Sequence, residues 1–324
     1  MNLKTILSAI AMMAVVAQGF AEDPAEEQKH WTKSGNASLQ FTQGFVSKNW
    51  YKGGQSSFAL LATGDYTFNY KNEKFTWDNH LEGKLGFINT SSQYRKFITN
   101  NDLLKWTSKI GYEAGHNWYY TLQGIGQTQF ATGWKDNGAD QEPTEISKFF
   151  NPAYLNISLG MDWKKDTEKI NWTVYLSPLA YNLVYVGDPL RGFEYELSTT
   201  NPSTRARAGR IDGTAFGLKP GDFNMYDLGA TAKAGMVWKA CKYLTWTSQA
   251  TYFSPLYNCG KYKDNGYTRL EWENTFDMPL NKFFSTKVYT HLRFDDSVGP
   301  DNKGAGWGYF QFTELLSFGI SYNW

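Results

Sequence analysis

The stretch FTWDNHLEGKLGF, residues 75 to 87, changes character at every second position. Asp78, His80, Glu82 and Lys84 occupy even positions, and the aromatic and aliphatic side chains occupy odd ones. Because residues two apart share one face of a β-strand, the stretch predicts a strand with one charged face and one apolar face. What each face contacts depends on the rest of the chain.

Segments with the same alternation recur about twelve times in the sequence. Each is at least about as long as the roughly 9 to 11 residues with which a tilted strand crosses a bilayer. The clearest examples besides residues 75–87 are SSFALLATGDYTFNY (56–70), YDLGATAKAGMVW (226–238), TRLEWENTFDM (268–278) and FSTKVYTHLRFD (284–295). The other strands are predicted near residues 35–45, 103–114, 117–130, 153–164, 170–185, 244–254 and 309–324.

The connections between these segments alternate in length. Short turns fall at KNEK, EAGHN, KKDTEK, KACKY and PLNK, and longer loops near residues 46–55, 89–102, 131–151, 186–224, 255–266 and 296–308. Short turns on one side and long loops on the other are typical of outer-membrane barrels, with the short turns in the periplasm. In an up-and-down meander with an even number of strands, the first strand begins and the last strand ends on the same side, so both ends of the barrel's chain should lie in the periplasm.

The aromatic residues distinguish a membrane barrel from a soluble one. The chain contains 13 Trp, 21 Tyr and 22 Phe, yet its mean hydropathy is −0.52. Many aromatics fall on the apolar face beside a short turn or the C-terminus, as in the interface girdle of a membrane barrel, whereas a soluble barrel turns its apolar face inward. We therefore predict an all-β fold, a transmembrane antiparallel β-barrel of about 12 strands. The girdle residues are Tyr70, Phe75, Trp77, Trp118, Tyr120, Trp163, Trp172, Trp238, Trp246, Tyr322 and Trp324.

The first 21 residues have the pattern of a secretory signal peptide. A lysine precedes an apolar run from Ile6 to Val16, and small residues follow up to Ala21. This arrangement predicts export and cleavage after Ala21. We expect a short periplasmic segment over residues 22–30 and a single barrel domain over residues 31–324, located in the cell outer membrane.

The chain ends in LSFGISYNW, in which apolar and aromatic residues alternate up to Trp324. This ending resembles the C-terminal signal by which outer-membrane barrels are recognised for insertion. It implies the barrel-assembly machinery as a partner during insertion and outer-membrane lipid as the final surroundings. With 32 Lys and Arg against 31 Asp and Glu, the charge gives no indication of a nucleic-acid partner, and no cofactor is expected.

Four segments resemble the landmarks of a bacterial family catalogued as domain of unknown function 3078. They are NWYKGGQSSF, SPLAYNLVYVGDPL, GLKPGDFNMYDLGATAKA and VYTHLRFDDSV, and together they span most of the chain from Asn49 onward. The resemblance implies an outer-membrane barrel with no assigned activity. It supports the fold and assigns no functional residue.

Charged residues are concentrated in two groups that we expect to face the barrel lumen. With twelve strands about 4.8 Å apart and tilted by about 40°, the backbone diameter is on the order of 24 Å, so long side chains fill much of it. We interpret both groups as cross-strand charge networks that stabilise the wall and constrict the pore, with a specific solute site as the alternative. The first group is Asp78, His80, Glu82 and Lys84 beside Lys105 and Lys109, and the second is Arg269, Glu271 and Glu273 opposite Lys287, His291 and Arg293.

Metal binding and catalysis have little support in the sequence. One histidine and two carboxylates along a single strand, as in Asp78, His80 and Glu82, are spaced too far apart to converge on one ion. The chain has four histidines, and a hydrolytic triad would need a serine beside His80 or His291, which sequence alone does not establish. No catalytic residue is therefore assigned.

Two loop segments leave alternatives open. The longest loop, residues 186–224, has a basic middle, NPSTRARAGR, that either folds into the barrel mouth, contacts lipid phosphates, or is an ordinary solvated loop. NWYKGG, residues 49–54, is interpreted as a tight turn in which Gly53 and Gly54 supply positive φ, with an aromatic ligand contact as the alternative.

Three functional classes follow from the predicted barrel. The first is a narrow channel for small polar solutes with a lumen of mixed charge. The second is a non-conducting structural or assembly barrel that binds a protein partner through its extracellular loops. The third, with the least support, is an outer-membrane hydrolase that acts on lipid. The three classes differ in conduction and in the presence of a stable partner.

The two cysteines provide a test of the topology. Cys241 falls in a short turn and Cys259 in a long loop, so about 30 Å of hydrocarbon should separate them and prevent a disulfide. On intact cells, a membrane-impermeant thiol reagent should label Cys259 and spare Cys241. An intrachain disulfide detected by mass spectrometry would contradict the predicted topology.

Overall fold

The structure is a computed structural model that describes residues 30–44, 56–90, 97–135, 143–189, 211–258, 268–281, 284–295 and 310–323. The predicted signal peptide, Cys259 and the NWYKGG stretch lie outside these ranges. Within the described ranges, no helix is long and apolar enough to cross a membrane.

Within the described residues, twelve long strands and one short hairpin account for almost all of the regular structure. The long strands coincide with the twelve segments predicted from alternation, most of them extending a few residues further. The short hairpin, β6 and β7, falls in a region predicted as a loop. The strands are β1 (Trp31–Gly44), β2 (Ser57–Asn72), β3 (Phe75–Thr90), β4 (Ile98–Gly115), β5 (Trp118–Thr128), β6 (Gly133–Lys135), β7 (Thr144–Ser147), β8 (Ala153–Asp166), β9 (Ile170–Tyr185), β10 (Asn224–Cys241), β11 (Leu244–Asn258), β12 (Arg269–Pro279), β13 (Phe284–Asp295) and β14 (Phe310–Asn323).

The twelve long strands form a closed barrel in which neighbours in sequence are neighbours in space. All pairs are antiparallel, and β1 closes the ring by pairing with β14, for example Leu39 with Ile320. The β6–β7 hairpin forms a separate two-stranded sheet between β5 and β8. The predicted up-and-down meander of twelve antiparallel strands is confirmed.

The short turns lie where the sequence predicted them. In the turn between β4 and β5, the backbone dihedral angles show the turn type. Between β4 and β5, His116 and Asn117 have φ values of 54° and 66°. Two central residues with positive φ make the type I′ turn that matches the right-handed twist of paired strands. We call this side of the barrel, where all the short turns lie, the short-turn end, and the opposite side the long-loop end. Cys241 lies at the short-turn end and is a free, exposed thiol.

The outer face of the barrel is apolar and exposed. Ile110 on β4, Leu122 on β5 and Leu159 on β8 are direct register neighbours, and their side chains are 40%, 46% and 54% exposed. A soluble barrel would bury such a row. An apolar exterior around a closed ring of strands is the fold of outer-membrane β-barrels, in which lipid covers these side chains.

Aromatic side chains border this apolar band at both ends. At the short-turn end, Trp31 contacts Tyr70 and Trp77, with ring centroids 5.2 and 6.0 Å apart, as expected for the predicted girdle. The side chains of Tyr322 and Trp324, also assigned to this girdle, lie outside the described part. No girdle was predicted at the long-loop end, but a ladder of tyrosines is present there. It comprises Tyr181, Tyr226 and Tyr257, with successive centroids 6.1 Å apart.

The described start of the region predicted as a loop over residues 131–151 packs against the barrel wall. Asp102 lies on the outer side of β4, opposite Leu85 of β3. Its two carboxylate oxygens accept hydrogen bonds from the backbone N–H groups of Phe130 and Ala131, both at 2.7 Å. Ala131 also helps to cover Leu85 and Phe87, each only 3% exposed. The segment after β5 therefore folds back over the outside of β3 and β4.

The apolar exterior predicts a specific cost for a charged substitution. Leu122→Arg, near the middle of β5, should reduce the free energy of unfolding by about 2 to 4 kcal/mol if this position lies near the bilayer midplane. Leu122→Met keeps the volume and polarity and should change it by less than about 1.5 kcal/mol. The measurement is urea-dependent folding into phospholipid vesicles. Equal stability of the two variants would show that Leu122 does not face lipid.

Candidate functional site in the lumen

The inward face of the wall is identified by contacts between strands that are not neighbours. The Lys233 ammonium on β10 donates to the Gln123 side-chain carbonyl on β5 at 2.6 Å, although β8 and β9 lie between them in the ring. The Lys164 ammonium on β8 likewise reaches Asp78 on β3 at 2.5 Å, past β4 and β5. Such contacts are possible only through the interior.

The first charged group occupies this interior face. Its ion pairs differ from those that the register of neighbouring strands alone would suggest. Glu82 lies 2.5 Å from the Lys84 ammonium and 3.9 Å from that of Lys105. Asp78 stands directly opposite Lys109 on β4, yet its ion pair is with Lys164 across the lumen.

A buried aspartate that was not predicted as a site residue completes this network. The Asp162 side chain is 0% exposed and lies 2.8 Å from the Lys109 ammonium and 3.7 Å from that of Lys164. The ammonium groups of Lys109 and Lys233 also lie over the Tyr175 ring, 5.4 and 5.7 Å from its centroid. Alternation places Asp162 on the polar face of β8, but its two lysines come from different strands, so only the three-dimensional structure reveals the cluster.

The second charged group lines the opposite part of the wall. Glu271 of β12 faces Arg293 of β13 in register, with Oε1 and Nε 3.6 Å apart. Lys287 is paired with Asp277, at 3.8 Å, rather than with a member of the predicted group.

Arg269 and His291 complete the second group. The Arg269 guanidinium contacts Asp227 on β10 at 2.9 Å and stacks over the Phe253 ring at 4.5 Å. Arg269 therefore lies along the wall instead of projecting toward the axis. His291 stands directly opposite Glu273 in the β12–β13 ladder.

The two groups approach each other across the ring. The Lys84 ammonium on β3 lies 5.8 Å from the centroid of the Tyr289 ring on β13. Lys84 also interacts electrostatically with Glu273 on β12. The structure thus brings together side chains that the sequence placed in separate groups, and it does so through Tyr289, which was not predicted as a site residue.

At the long-loop end, both described ends of the 186–224 loop pack onto lumen-facing side chains. Tyr154 and Met225 flank Val184 in register on the inward face. Described residues from both ends of the loop meet there in an apolar cluster on the inner wall. The loop's basic middle, NPSTRARAGR (201–210), lies outside the described part, as do residues 190–200. The cluster consists of Val184, Val186, Ile211 and Leu218, packed against Tyr154, Phe216 and Met225.

The two lumen histidines differ in their surroundings. His80 Nε2 lies 3.1 Å from Asp65 Oδ1, in a pair that is about 41% exposed on both sides. His291 Nε2 is shielded from solvent and has no hydrogen-bond partner in the described part of the chain. Within that part, no serine is hydrogen-bonded to either ring, so the structure assembles no hydrolytic triad from described residues.

Part of the chain matches a known protein family. Residues 41–134 match the model of a family described as a protein of unknown function (DUF3078). The resemblance to this family is confirmed over these residues, which include the first of its four predicted landmarks, NWYKGGQSSF. The match covers the strands from β2 to β5, including the first charged group. No curated protein matches the chain significantly.

Solved structures similar to the chain are outer-membrane barrels. The translocator domain of the autotransporter NalP from Neisseria meningitidis is 13% identical, with a TM-score of 0.40 over 98% of this chain and 95% of that one. An outer membrane channel from Pseudomonas putida F1 is 9% identical, with a TM-score of 0.40 over 93% and 98%. The NanC porin is 8% identical, with a TM-score of 0.35 over 88% and 97%. The closed strand order and the apolar exterior, not these likenesses, establish the fold.

The buried position of Asp162 predicts its contribution to stability. Asp162→Ala leaves Lys109 and Lys164 without their shared carboxylate, and loss of one partner from a buried ion pair costs about 3 to 5 kcal/mol. Asp65→Ala removes a carboxylate from a half-exposed pair and should cost less than about 1 kcal/mol. Urea unfolding of both variants in detergent micelles measures the difference. Similar losses in the two variants would contradict a central role for Asp162.

Proposed function

We propose that this barrel is a narrow outer-membrane channel for small polar solutes, with a lumen lined by charges of both signs. The observation that carries the proposal is the contact between Lys233 and Gln123, which spans a quarter of the ring at mid-height. Side chains that meet across the interior reduce the open cross-section well below the backbone diameter of about 24 Å.

The arrangement of charges supports weak ion selectivity. Lys109, Lys164 and Lys233 project toward the interior beside Asp78 and Asp162. Pores lined by rings of one sign select strongly for the opposite ion, whereas alternating signs offer sites to both. A small conductance with little preference between anions and cations is expected.

The apolar cluster at the long-loop end supports a second narrowing of the proposed channel. Val186, Ile211 and Leu218 are 0% exposed, so the ends of the 186–224 loop are held firmly on the inner wall. Burial of several aliphatic side chains is worth roughly 1.5 to 3 kcal/mol for each one fully covered. A solute would therefore pass beside an anchored loop before it reaches the charged network.

The proposal predicts that shortening the interior lysines widens the channel. In planar bilayers, the Lys109→Ala/Lys233→Ala double variant should show a larger single-channel conductance than the native barrel and a shift toward cations, since two positive charges are lost. Lys239→Ala is the matched control, because Lys239 lies on β10 at the short-turn end and is exposed. Its conductance should equal that of the native barrel.

The same experiment decides between the functional classes. If the native barrel and the double variant both insert and fold but neither conducts, the channel proposal is wrong. The non-conducting barrel that binds a protein partner through its loops then becomes the favoured function. A lipid hydrolase remains a separate proposal, for which release of fatty acid from outer-membrane lipid is the direct assay.

A further inference from the structure

Three potential metal ligands converge on the lumen wall between β12 and β13. Glu271 and Glu273 are two residues apart on β12 and share its inner face, and His291 stands opposite Glu273 on β13. One ligand atom from each side chain lies within 4.8 Å of the other two. The arrangement differs from a row along one strand, because the histidine comes from the neighbouring strand.

The imidazole of His291 lacks a hydrogen-bond partner at Nε2 within the described residues. Nε2 has essentially no contact with solvent and accepts or donates no hydrogen bond within the described residues. A buried polar atom without a partner costs about 1 to 3 kcal/mol, so most native structures satisfy such atoms with protein, water or an ion. An ion between the imidazole and the two carboxylates would satisfy it.

The charges around the group favour a cation. Arg293 lies 3.6 Å from Glu271 and offsets that carboxylate in part. Within the described residues, no lysine or arginine lies within 4 Å of Glu273, whose interaction with Lys84 acts at longer range. The repulsion between Glu271 and Glu273 at this separation is therefore incompletely compensated by the protein.

We propose that Glu271, Glu273 and His291 bind a divalent transition-metal ion of the zinc class. Zinc takes imidazole nitrogen and carboxylate oxygen at about 2.0 to 2.2 Å, so atoms that share one ion lie about 3 to 4 Å apart. Small side-chain rotations bring the three ligand atoms from within 4.8 Å to that spacing. An imidazole ligand disfavours Mg²⁺ and Ca²⁺, which prefer sites made of oxygen.

A bound ion would affect the barrel in two ways. It would join β12 to β13 through side chains in addition to the backbone ladder. It would also place two positive charges on the wall that carries Tyr289 and faces Lys84. The coordination sphere would keep an open position toward the lumen, because the protein supplies three ligands. The proposal concerns binding to the folded barrel and does not depend on conduction.

The test is isothermal titration of the full barrel, stripped with chelator and held in detergent micelles, with ZnCl₂. One ion should bind per chain, and excess MgCl₂ or CaCl₂ should not displace it. Co²⁺ should give visible absorption bands that disappear when Zn²⁺ is added. His291→Ala and Glu273→Gln should each weaken Zn²⁺ binding by about 10-fold or more, as loss of a ligand removes at least as much as loss of an outer-shell contact.

His80→Ala is the matched control, because His80 also lines the lumen but is hydrogen-bonded to Asp65. It should leave Zn²⁺ binding unchanged. Heat-modifiable gel mobility and circular dichroism confirm that each variant is folded before titration. The proposal fails if the native barrel binds no stoichiometric Zn²⁺, if binding survives in both His291→Ala and Glu273→Gln, or if His80→Ala weakens it equally.

Discussion

The need to satisfy every backbone hydrogen bond in hydrocarbon determines the rest of this structure. A sheet with free edges would expose unpaired N–H and C=O groups to lipid, at several kcal/mol each. Closure of β1 onto β14 removes both edges, and it fixes an even strand number and a single inner face. Both charged groups then lie on the inner face, where some of their members pair across the lumen.

Much of the fold was predictable because a period of two is a strong, local signal. In β3, each of Asp78, His80, Glu82 and Lys84 falls on the face that the alternation assigned to it, and the turns on either side of the strand are marked by polar residues. The aromatic residues beside the short turns indicated which face of each strand points outward. The hairpin of β6 and β7 was missed, since strands of three and four residues carry too few alternations to be recognised.

The lumen site was predictable as a surface but not as a set of contacts. Alternation assigns Asp162 and Tyr289 to the inner face, yet their partners lie on strands distant in the sequence. Which lysine reaches which carboxylate depends on strand tilt and side-chain length, and neither is encoded in a repeating pattern. The convergence of His291 with Glu271 and Glu273 depends in the same way on the exact register of β12 against β13. Asp102 illustrates the opposite case, a charge on the apolar side whose partners are backbone amides that no sequence pattern marks.

The capped carboxylate of Asp102 has a consequence for what surrounds this part of the wall. A carboxylate on the outer side of a strand needs hydrogen-bond donors from the protein, because hydrocarbon offers none. The amides of Phe130 and Ala131 supply them, and Ala131 also packs against Leu85 and Phe87. The chain itself therefore provides the outer cover of β3 and β4 at the long-loop end, and a change at Asp102 would act on this cover and not on the lumen.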